Sequence, residues 1–337
     1  MAIEWATQSP VITDWESDLT ALEEVDGILI APTTRDLMAS YLHGLQHGPI
    51  LMALSAARTR DCPVMMIPSM HAELANDPVT TEIVEEIRHK GIEVHWGKED
   101  EGKRKTPPHE EIVARFANYV NSSKTNRKSV VITLGATRSP IDDIRFIQNI
   151  SSGSTGFAIA DDLFRHGHDV TCVKGITTVP TPKWLPLIIE ADSPDKMLKE
   201  LLALSNDEIE AWIHSAAVLD YVVENSAEGK LASQQGPLDV KLIESPKHIL
   251  ELSEKCEGTV RIGFKLETGI KQKELVRRAL AQIEYANMTA VVANRLEDIN
   301  DSSKPRAYLV DKTGSDFMLQ TIDDMCTAIR TLIERGN

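Results

Sequence analysis

Short apolar runs and amphipathic stretches alternate along most of this 337-residue chain, and the alternation predicts an α/β fold. Val130–Leu134 is an unbroken, β-rich apolar run, the pattern of a strand buried on both faces. Beyond it, Phe157, Ala160, Leu163 and Phe164 recur at the spacing of one helix face. Gly167 closes that helix and Val170–Val173 is the next strand, which makes a βαβ unit. Earlier, Gly27–Pro32 reads as a buried strand, Thr33–Leu45 as a helix and Pro63–Pro68 as a second strand. Thr80–Lys90 then reads as a helix leading into the strand Ile92–Trp96. These are too few strands for a complete doubly wound sheet, so an incomplete domain is expected there.

Two stretches interrupt the pattern. Lys98–Pro108 is charged and proline-rich, and Asn121–Ser129 is polar and follows a short amphipathic helix, Glu110–Tyr119. The second is the better linker. The expected division is a domain over residues 1–122, a linker over 123–128 and a second domain over 129–337.

Between the strand Val130–Leu134 and the helix that begins near Phe157 lie Gly135, Ser151, Ser152, Gly153, Ser154 and Gly156. A helix N-terminus carries unpaired N–H groups and the positive end of the dipole, so this is where a phosphate is expected. Ser151, Ser152 or Ser154 is expected to cap the helix, with Gly153 and Gly156 permitting close backbone approach. Gly135 and Gly153 are separated by a long excursion through Arg138, Asp142, Asp143, Arg145 and Asn149, unlike the tight G-x-G-x-x-G turn of dinucleotide enzymes. A plain dehydrogenase is therefore disfavoured.

Composition narrows the class. The formal charge of −15 opposes a nucleic-acid partner, because sequence-independent binding to a polyanion needs a positive field. A phosphorylated substrate then needs local cations, for which Lys230, Lys241 and Lys247 are candidates. No apolar run approaches the roughly 20 residues of a membrane span. Cys62, Cys172, Cys256 and Cys326 are scattered without metal-ligand spacing and read as reduced thiols, mostly in the core. The chain reads as cytoplasmic.

After the linker, the motifs resemble phosphopantothenoylcysteine synthetase, the ligase half of the bifunctional phosphopantothenoylcysteine synthetase/decarboxylase family. They are Gly135-Ala-Thr-Arg-Ser-Pro-Ile-Asp142, Arg145-Phe-Ile-Gln-Asn-Ile-Ser-Ser-Gly153 with Gly156, Trp212-Ile-His-Ser-Ala-Ala-Val-Leu-Asp-Tyr221 and Glu228-Gly-Lys-Leu231. Leu238–Ile249, Ile262-Gly-Phe-Lys-Leu-Glu-Thr268 and Val291-Val-Ala-Asn294 follow in the family's order. The resemblance implies a Rossmann-like doubly wound ligase domain preceded by a partial flavodoxin-like flavoprotein domain. It implies an ATP-grasp-independent ligase of coenzyme A biosynthesis that joins 4′-phosphopantothenate to L-cysteine through an acyl-nucleotide, with CTP (or ATP) as co-substrate and Mg²⁺.

A carboxylate is not electrophilic, and bringing it to a triphosphate requires cations that screen like charges. The resemblance places catalysis on Lys230, Asn149 and Arg145: the lysine as transition-state cation, the carboxamide as donor to the acyl oxygen, and the guanidinium on a carboxylate or phosphate. Gly135, Thr137, Ala216, Ala217, Asp220, Lys230 and Phe264 are implied around the nucleotide. Asn149, Ser151, Ser152 and Gly153 are implied around phosphopantothenate, and Asp220 at Mg²⁺. The family's extra lysines after the catalytic one are missing, which leaves Lys241 or Lys265 to compensate. A homodimer through the ligase domain is implied, with residues 222–243 at the interface, and a higher oligomer through the N-terminal domain.

Residues 1–122 resemble the second half of the flavoprotein-type decarboxylase domain. Pro32-Thr-Thr-Arg-Asp-Leu37 stands where that family has Pro-Ala-Ser-Ala-Asn-Thr, and Pro68-Ser-Met-His71 where it has Pro-x-Met-Asn. Asp36 thus replaces an asparagine, and its charge repels a carboxylate substrate. With the flavin phosphate loop unmatched, the expectation is that FMN is unlikely, that decarboxylation is doubtful, and that Asp36 and His71 are a decarboxylase-like remnant. The alternatives are a bifunctional synthetase/decarboxylase whose flavin-binding part is supplied elsewhere, a nicotinamide-dependent reductase, and a non-catalytic scaffold.

Overall fold

The computed structural model describes residues 7–9, 11, 25–124, 126–205, 208–232, 236–299 and 301–336. The chain divides into two compact units, Met1–Asn121 and Ser122–Asn337. Among the described residues of the first unit the order is β1 (Ile28–Thr33), α1 (Arg35–Leu42), α2 (Pro49–Thr59), β2 (Val64–Pro68), β3 (Met70–His71), α3 (Ala72–Ala75), α4 (Pro78–His89), β4 (Glu93–Val94), β5 (Glu99–Asp100), β6 (Lys103–Arg104) and α5 (His109–Asn121). β1, β2 and β4 form a parallel sheet with β2 in the centre, where all five of its residues are buried. Met38, Leu54, Met66 and Ile87 pack one face of it. Thr34 Oγ1 accepts from Leu37 N to start α1, and Asp77 accepts from Val79 N to start α4.

The structure revises several elements here. The expected helix Thr33–Leu45 stops at Leu42, and Gly44 turns the chain at φ +69°. The pattern reading leaves α2 unassigned, although Pro49 in its first turn and buried Leu51, Leu54 and Ala57 mark it. The strand expected over Ile92–Trp96 pairs only at Glu93–Val94. Lys98–Pro108, expected as a loop, contains the hairpin β5–β6, and β6 also pairs with β3 through Met70–Arg104 and His71–Lys103. Glu101 and Gly102 both take positive φ, as a two-residue type I′ turn demands.

The second unit runs β7 (Ser129–Leu134), β8 (Arg138–Pro140), β9 (Phe146–Gln148), α6 (Ser154–Arg165), β10 (Asp169–Lys174), β11 (Leu187–Glu190), α7 (Pro194–Leu204), β12 (Ala211–His214), β13 (Tyr221–Val223), β14 (Leu242–Glu244), α8 (His248–Glu251), β15 (Val260–Glu267), α9 (Gln272–Ala286), β16 (Ala290–Arg295), β17 (Ala307–Asp311), β18 (Asp316–Leu319) and α10 (Ile322–Arg335). Its eight-stranded sheet has the order β11-β10-β7-β12-β15-β16-β17-β18. The strands from β11 to β16 are parallel, and β17 and β18 add antiparallel at one edge. Ranked by sequence, the parallel strands lie 3-2-1-4-5-6, the doubly wound order, with its reversal between β7 and β12. The Rossmann-like fold class is therefore the observed one. Hairpins β8–β9 and β13–β14 grow from the loops after β7 and β12, and Val223 N donates to Ser139 Oγ at 2.9 Å to join them.

Candidate active site

A doubly wound sheet leaves a crevice beyond the carboxyl ends of the strands where its order reverses. Here that place is the end of β7 beside the end of β12, and the ligase motifs converge on it. Ser215 N and Oγ donate to Thr133 O, and Ala216 N donates to Thr133 Oγ1 at 3.2 Å. Ala217 N donates to Gly135 O at 2.8 Å, Thr137 N to Ala217 O at 3.2 Å and Leu219 N to Thr137 Oγ1 at 2.9 Å. Gly135, Thr137, Ala216 and Ala217, far apart in sequence, thus form one cross-linked edge.

Helix α6 is brought against this edge by glycine. A Cβ on Gly156 would lie 2.4 Å from Leu134 Cβ and 3.0 Å from Ser215 Oγ, so only a bare backbone fits. Gly153 itself is the cap residue, left-handed at φ 80° and without a side-chain cap. The expected serine cap comes from one residue earlier, where Ser152 Oγ accepts from Ser154 N at 3.3 Å. Ser152 O also accepts from Thr178 N at 3.1 Å, which anchors the turn to the neighbouring loop. Sequence reasoning misses Arg306, whose Nη2 donates to Thr155 Oγ1 at 3.3 Å and puts a guanidinium on the first turn of α6. The two residues are 151 positions apart and no local pattern links them.

Asn149 reaches the same edge. Its Nδ2 donates to Ala217 O at 3.3 Å and Val218 O at 3.0 Å, so the amide's donor end faces backbone and its acceptor oxygen is the end left for a ligand. Arg145 donates from Nη2 to Leu231 O at 2.7 Å, and its Nε lies 3.3 Å from Asp142 Oδ2. The Asp142 side chain is fully buried: Oδ1 accepts from Ile144 N at 2.8 Å and Arg145 N at 2.6 Å, and Oδ2 from Leu231 N at 3.1 Å. Burial opposes its ionisation, but the N–H donors of Arg145, Ile144 and Leu231 and the Arg145 charge outweigh burial and hold the carboxyl below its ordinary range. Asp143 Oδ2 accepts from Gly229 N at 3.0 Å.

These contacts bracket Lys230. Its neighbours Gly229 and Leu231 are both tied to the 142–143 turn, while the lysine is exposed and its Nζ has no ion-pair partner among the described residues. Lys241 and Lys265 differ, since they pair with Glu224 at 2.7 Å and Glu267 at 3.2 Å. Asp220 is exposed just beyond β12, and its backbone oxygen accepts from Ser245 N at 2.8 Å. Phe264 is half-buried on β15. Among the described residues no cluster of three or more His, Cys, Asp or Glu side chains is placed to hold a metal alone.

In the first unit, Asp36 lies exposed in the first turn of α1 and His71 exposed at the end of β3, with no hydrogen bond or ion pair between them among the described residues. The dipole of α1 favours a carboxylate at Asp36. Arg104, stacked 5.1 Å over the Trp96 ring, has a buried Nε without a partner. The cysteines are all free, with Cys172, Cys256 and Cys326 buried, and among the described residues no helix is long and apolar enough to cross a membrane.

The family model of the DNA/pantothenate metabolism flavoprotein C-terminal domain matches residues 125–334, and the Flavoprotein model matches residues 1–121. The coenzyme A biosynthesis bifunctional protein CoaBC of Thermococcus kodakarensis is 33% identical over 324 residues, which are 94% of this chain and 78% of that protein. CoaBC of Vibrio vulnificus is 30% identical over 253 residues, 72% of this chain and 62% of that protein. Among solved structures, the DNA/pantothenate metabolism flavoprotein from Streptococcus pneumoniae aligns with a TM-score of 0.56 at 24% identity, covering 62% of this chain and 99% of that one. A C-terminal domain of CoaBC aligns at 0.52 and 24%, covering 64% and 97%. Both are likenesses of fold.

These matches correct the reading of the first unit. The flavoprotein similarity extends over residues 1–121, so this stretch is a flavoprotein region rather than a remnant marked by Asp36 and His71. The expectations that FMN is unlikely and decarboxylation doubtful fall with it, because the matched relatives are bifunctional proteins. They rested on reading these residues as only the second half of that domain, with its flavin phosphate loop unmatched, and on Asp36, whose exposed charge is open to screening. By the extent of these matches, the chain belongs to the family of bifunctional coenzyme A biosynthesis proteins CoaBC.

Proposed function

We propose that this chain performs two consecutive reactions of coenzyme A assembly, the ligation of 4′-phosphopantothenate to L-cysteine in the second unit and decarboxylation of the product in the first. In the ligation the substrate carboxylate attacks the α-phosphorus of CTP and pyrophosphate leaves. The cysteine nitrogen then attacks the acyl carbon, CMP leaves, and the amine proton passes to solvent. The observation that carries this reading is Lys230: a lysine without a carboxylate partner among the described residues, on a backbone tied down on both sides, at the loops of the β7/β12 crevice. Its charge offsets the charge that builds up as two anions meet.

The other residues fit around it. The first turn of α6 with Ser152, Gly153 and Arg306 suits a phosphate, and Ser151 borders it. Asn149 Oδ1 is an acceptor for the incoming amine, Arg145 keeps Nη1 for a substrate oxygen, and Phe264 offers a face to the base. Mg²⁺ bound with a nucleotide needs only one or two carboxylates beside phosphate oxygens, and exposed Asp220 supplies one. Lys230→Ala should lower turnover by a factor on the order of 10² to 10³ while the fold survives. Pyrophosphate release with nucleotide and phosphopantothenate, before cysteine is added, measures the step directly, and undiminished release by the folded variant would remove Lys230 from it.

For the first unit, FMN is proposed at the carboxyl edge of β1 and β2, near which the orphaned Arg104 Nε suits a flavin oxygen, whereas Asp36 in the first turn of α1 opposes a phosphate at that helix end. Bound there, the flavin would supply a carrier that takes up two electrons and returns them, so that the net change is loss of CO₂ without oxidation. The purified chain should carry a yellow flavin band and release CO₂ from phosphopantothenoylcysteine. A colourless protein that takes up no added FMN would refute this part and leave the ligase part standing.

A further inference from the structure

A catalytic lysine on an exposed loop contributes little if its backbone wanders, because an electrostatic group lowers a barrier only when it is already in place. What holds Lys230 in place is visible. Gly229 exchanges hydrogen bonds with Asp143, from Gly229 N to Oδ2 at 3.0 Å and from Asp143 N to Gly229 O at 3.3 Å. Leu231 donates to Asp142 Oδ2 at 3.1 Å and accepts from Arg145 Nη2 at 2.7 Å. Ala227 N donates to Ile141 O at 3.0 Å, so the segment is zipped to the 141–145 turn.

At the centre of this zipper is one side chain. The Asp142 carboxylate is fully buried and accepts the N–H groups of Ile144, Arg145 and Leu231, two from its own turn and one from 89 residues away. We infer that Asp142 is a positioning residue for the ligation, fixing the Lys230 backbone relative to the turn that leads into Asn149. Asp143 is its exposed counterpart on the other side of the lysine. The assignment rests on the reading of Lys230 as the ligation cation. It also gives a use for the acidic pair in an enzyme whose substrates are anions, because the buried carboxylate is taken up by backbone donors and the Arg145 guanidinium.

Two measurements on the full chain test it. Trypsin cleavage after Lys230 reads the loop without reference to activity, and Asp142→Asn, which loses the charge and one acceptor oxygen, should speed that cut about tenfold or more while other sites keep their rates. An unchanged rate at Lys230 in the folded variant overturns the proposal. In the pyrophosphate assay Asp142→Asn should lower kcat by a factor on the order of 10², and added to Lys230→Ala it should cost nothing further, since both remove one effect. Full additivity of the two substitutions overturns it as well. If Asp142→Asn does not fold, Asp143→Ala frees only the exposed anchor and must still speed the cut after Lys230. Should Lys230→Ala leave pyrophosphate release intact, the reading of Lys230 fails, while the trypsin rates still decide whether Asp142 holds the segment.

Discussion

At the residue scale, Asn149 shows how a side chain's role depends on which end of it the fold engages. Its residue type permits donation to an acyl oxygen, but its Nδ2 faces the carbonyls of Ala217 and Val218. Asn149→Asp would set a carboxylate against those two oxygens, losing the hydrogen bonds and adding repulsion. Denaturant unfolding should show a loss of about 1–3 kcal/mol. Nucleotide affinity should fall too, because the Ala217–Val218 turn lines the proposed nucleotide edge. Unchanged stability and affinity with lost ligation would instead restore the donor role.

At the element scale, the hairpins β8–β9 and β13–β14 carry exposed apolar side chains. Ile144, Phe146, Tyr221, Leu242 and Ile243 are all exposed, and Val223 N to Ser139 Oγ locks the two hairpins side by side. Exposed apolar side chains on both faces of the β13–β14 ribbon fit a protein partner, and a second copy is the partner proposed, over residues 222–243 of which 233–235 lie outside the described residues. The chain should sediment as a dimer or larger assembly. Tyr221→Asp with Ile243→Glu should move it toward smaller species, and no change in sedimentation would place the interface elsewhere.

At the scale of the whole molecule, acid sensitivity follows from histidines that burial depresses: His95 and His168 as well as the pair His214 and His248. Burial first, then the Arg261 charge, lowers His214 to about 3, and burial likewise lowers His248. Both are neutral in the fold, whereas in the unfolded chain they take up protons below about pH 6.5. Their folded values are depressed, so the unfolded state binds more protons in that window and stability falls with pH. Denaturant midpoints should therefore hold above about pH 6.5 and drop steadily toward about pH 5. His214→Gln should flatten the drop, and an equally steep profile in that variant would assign the acid lability to other groups.

Local periodicity determined the elements whose partners do not matter to their type. The run Val130–Leu134 had to be a buried strand and the Phe157–Phe164 spacing had to be a helix, because each rests on neighbouring residues alone; the packing of Gly156 on Leu134 and Ser215 did not. The motifs likewise named Lys230, Asn149, Ala216 and Ala217. The hairpin at β5–β6 was hidden, because short charged strands carry no apolar alternation and owe their pairing to β3. Only the tertiary structure decided the strand order that opens the crevice between β7 and β12, the direction of the Asn149 amide, the arrival of Arg306 at α6 and the tie from Asp142 to Leu231. Each of these is a choice of hydrogen-bond or packing partner made between segments tens of residues apart, and spacing along the chain records which face a residue presents but not what meets it there.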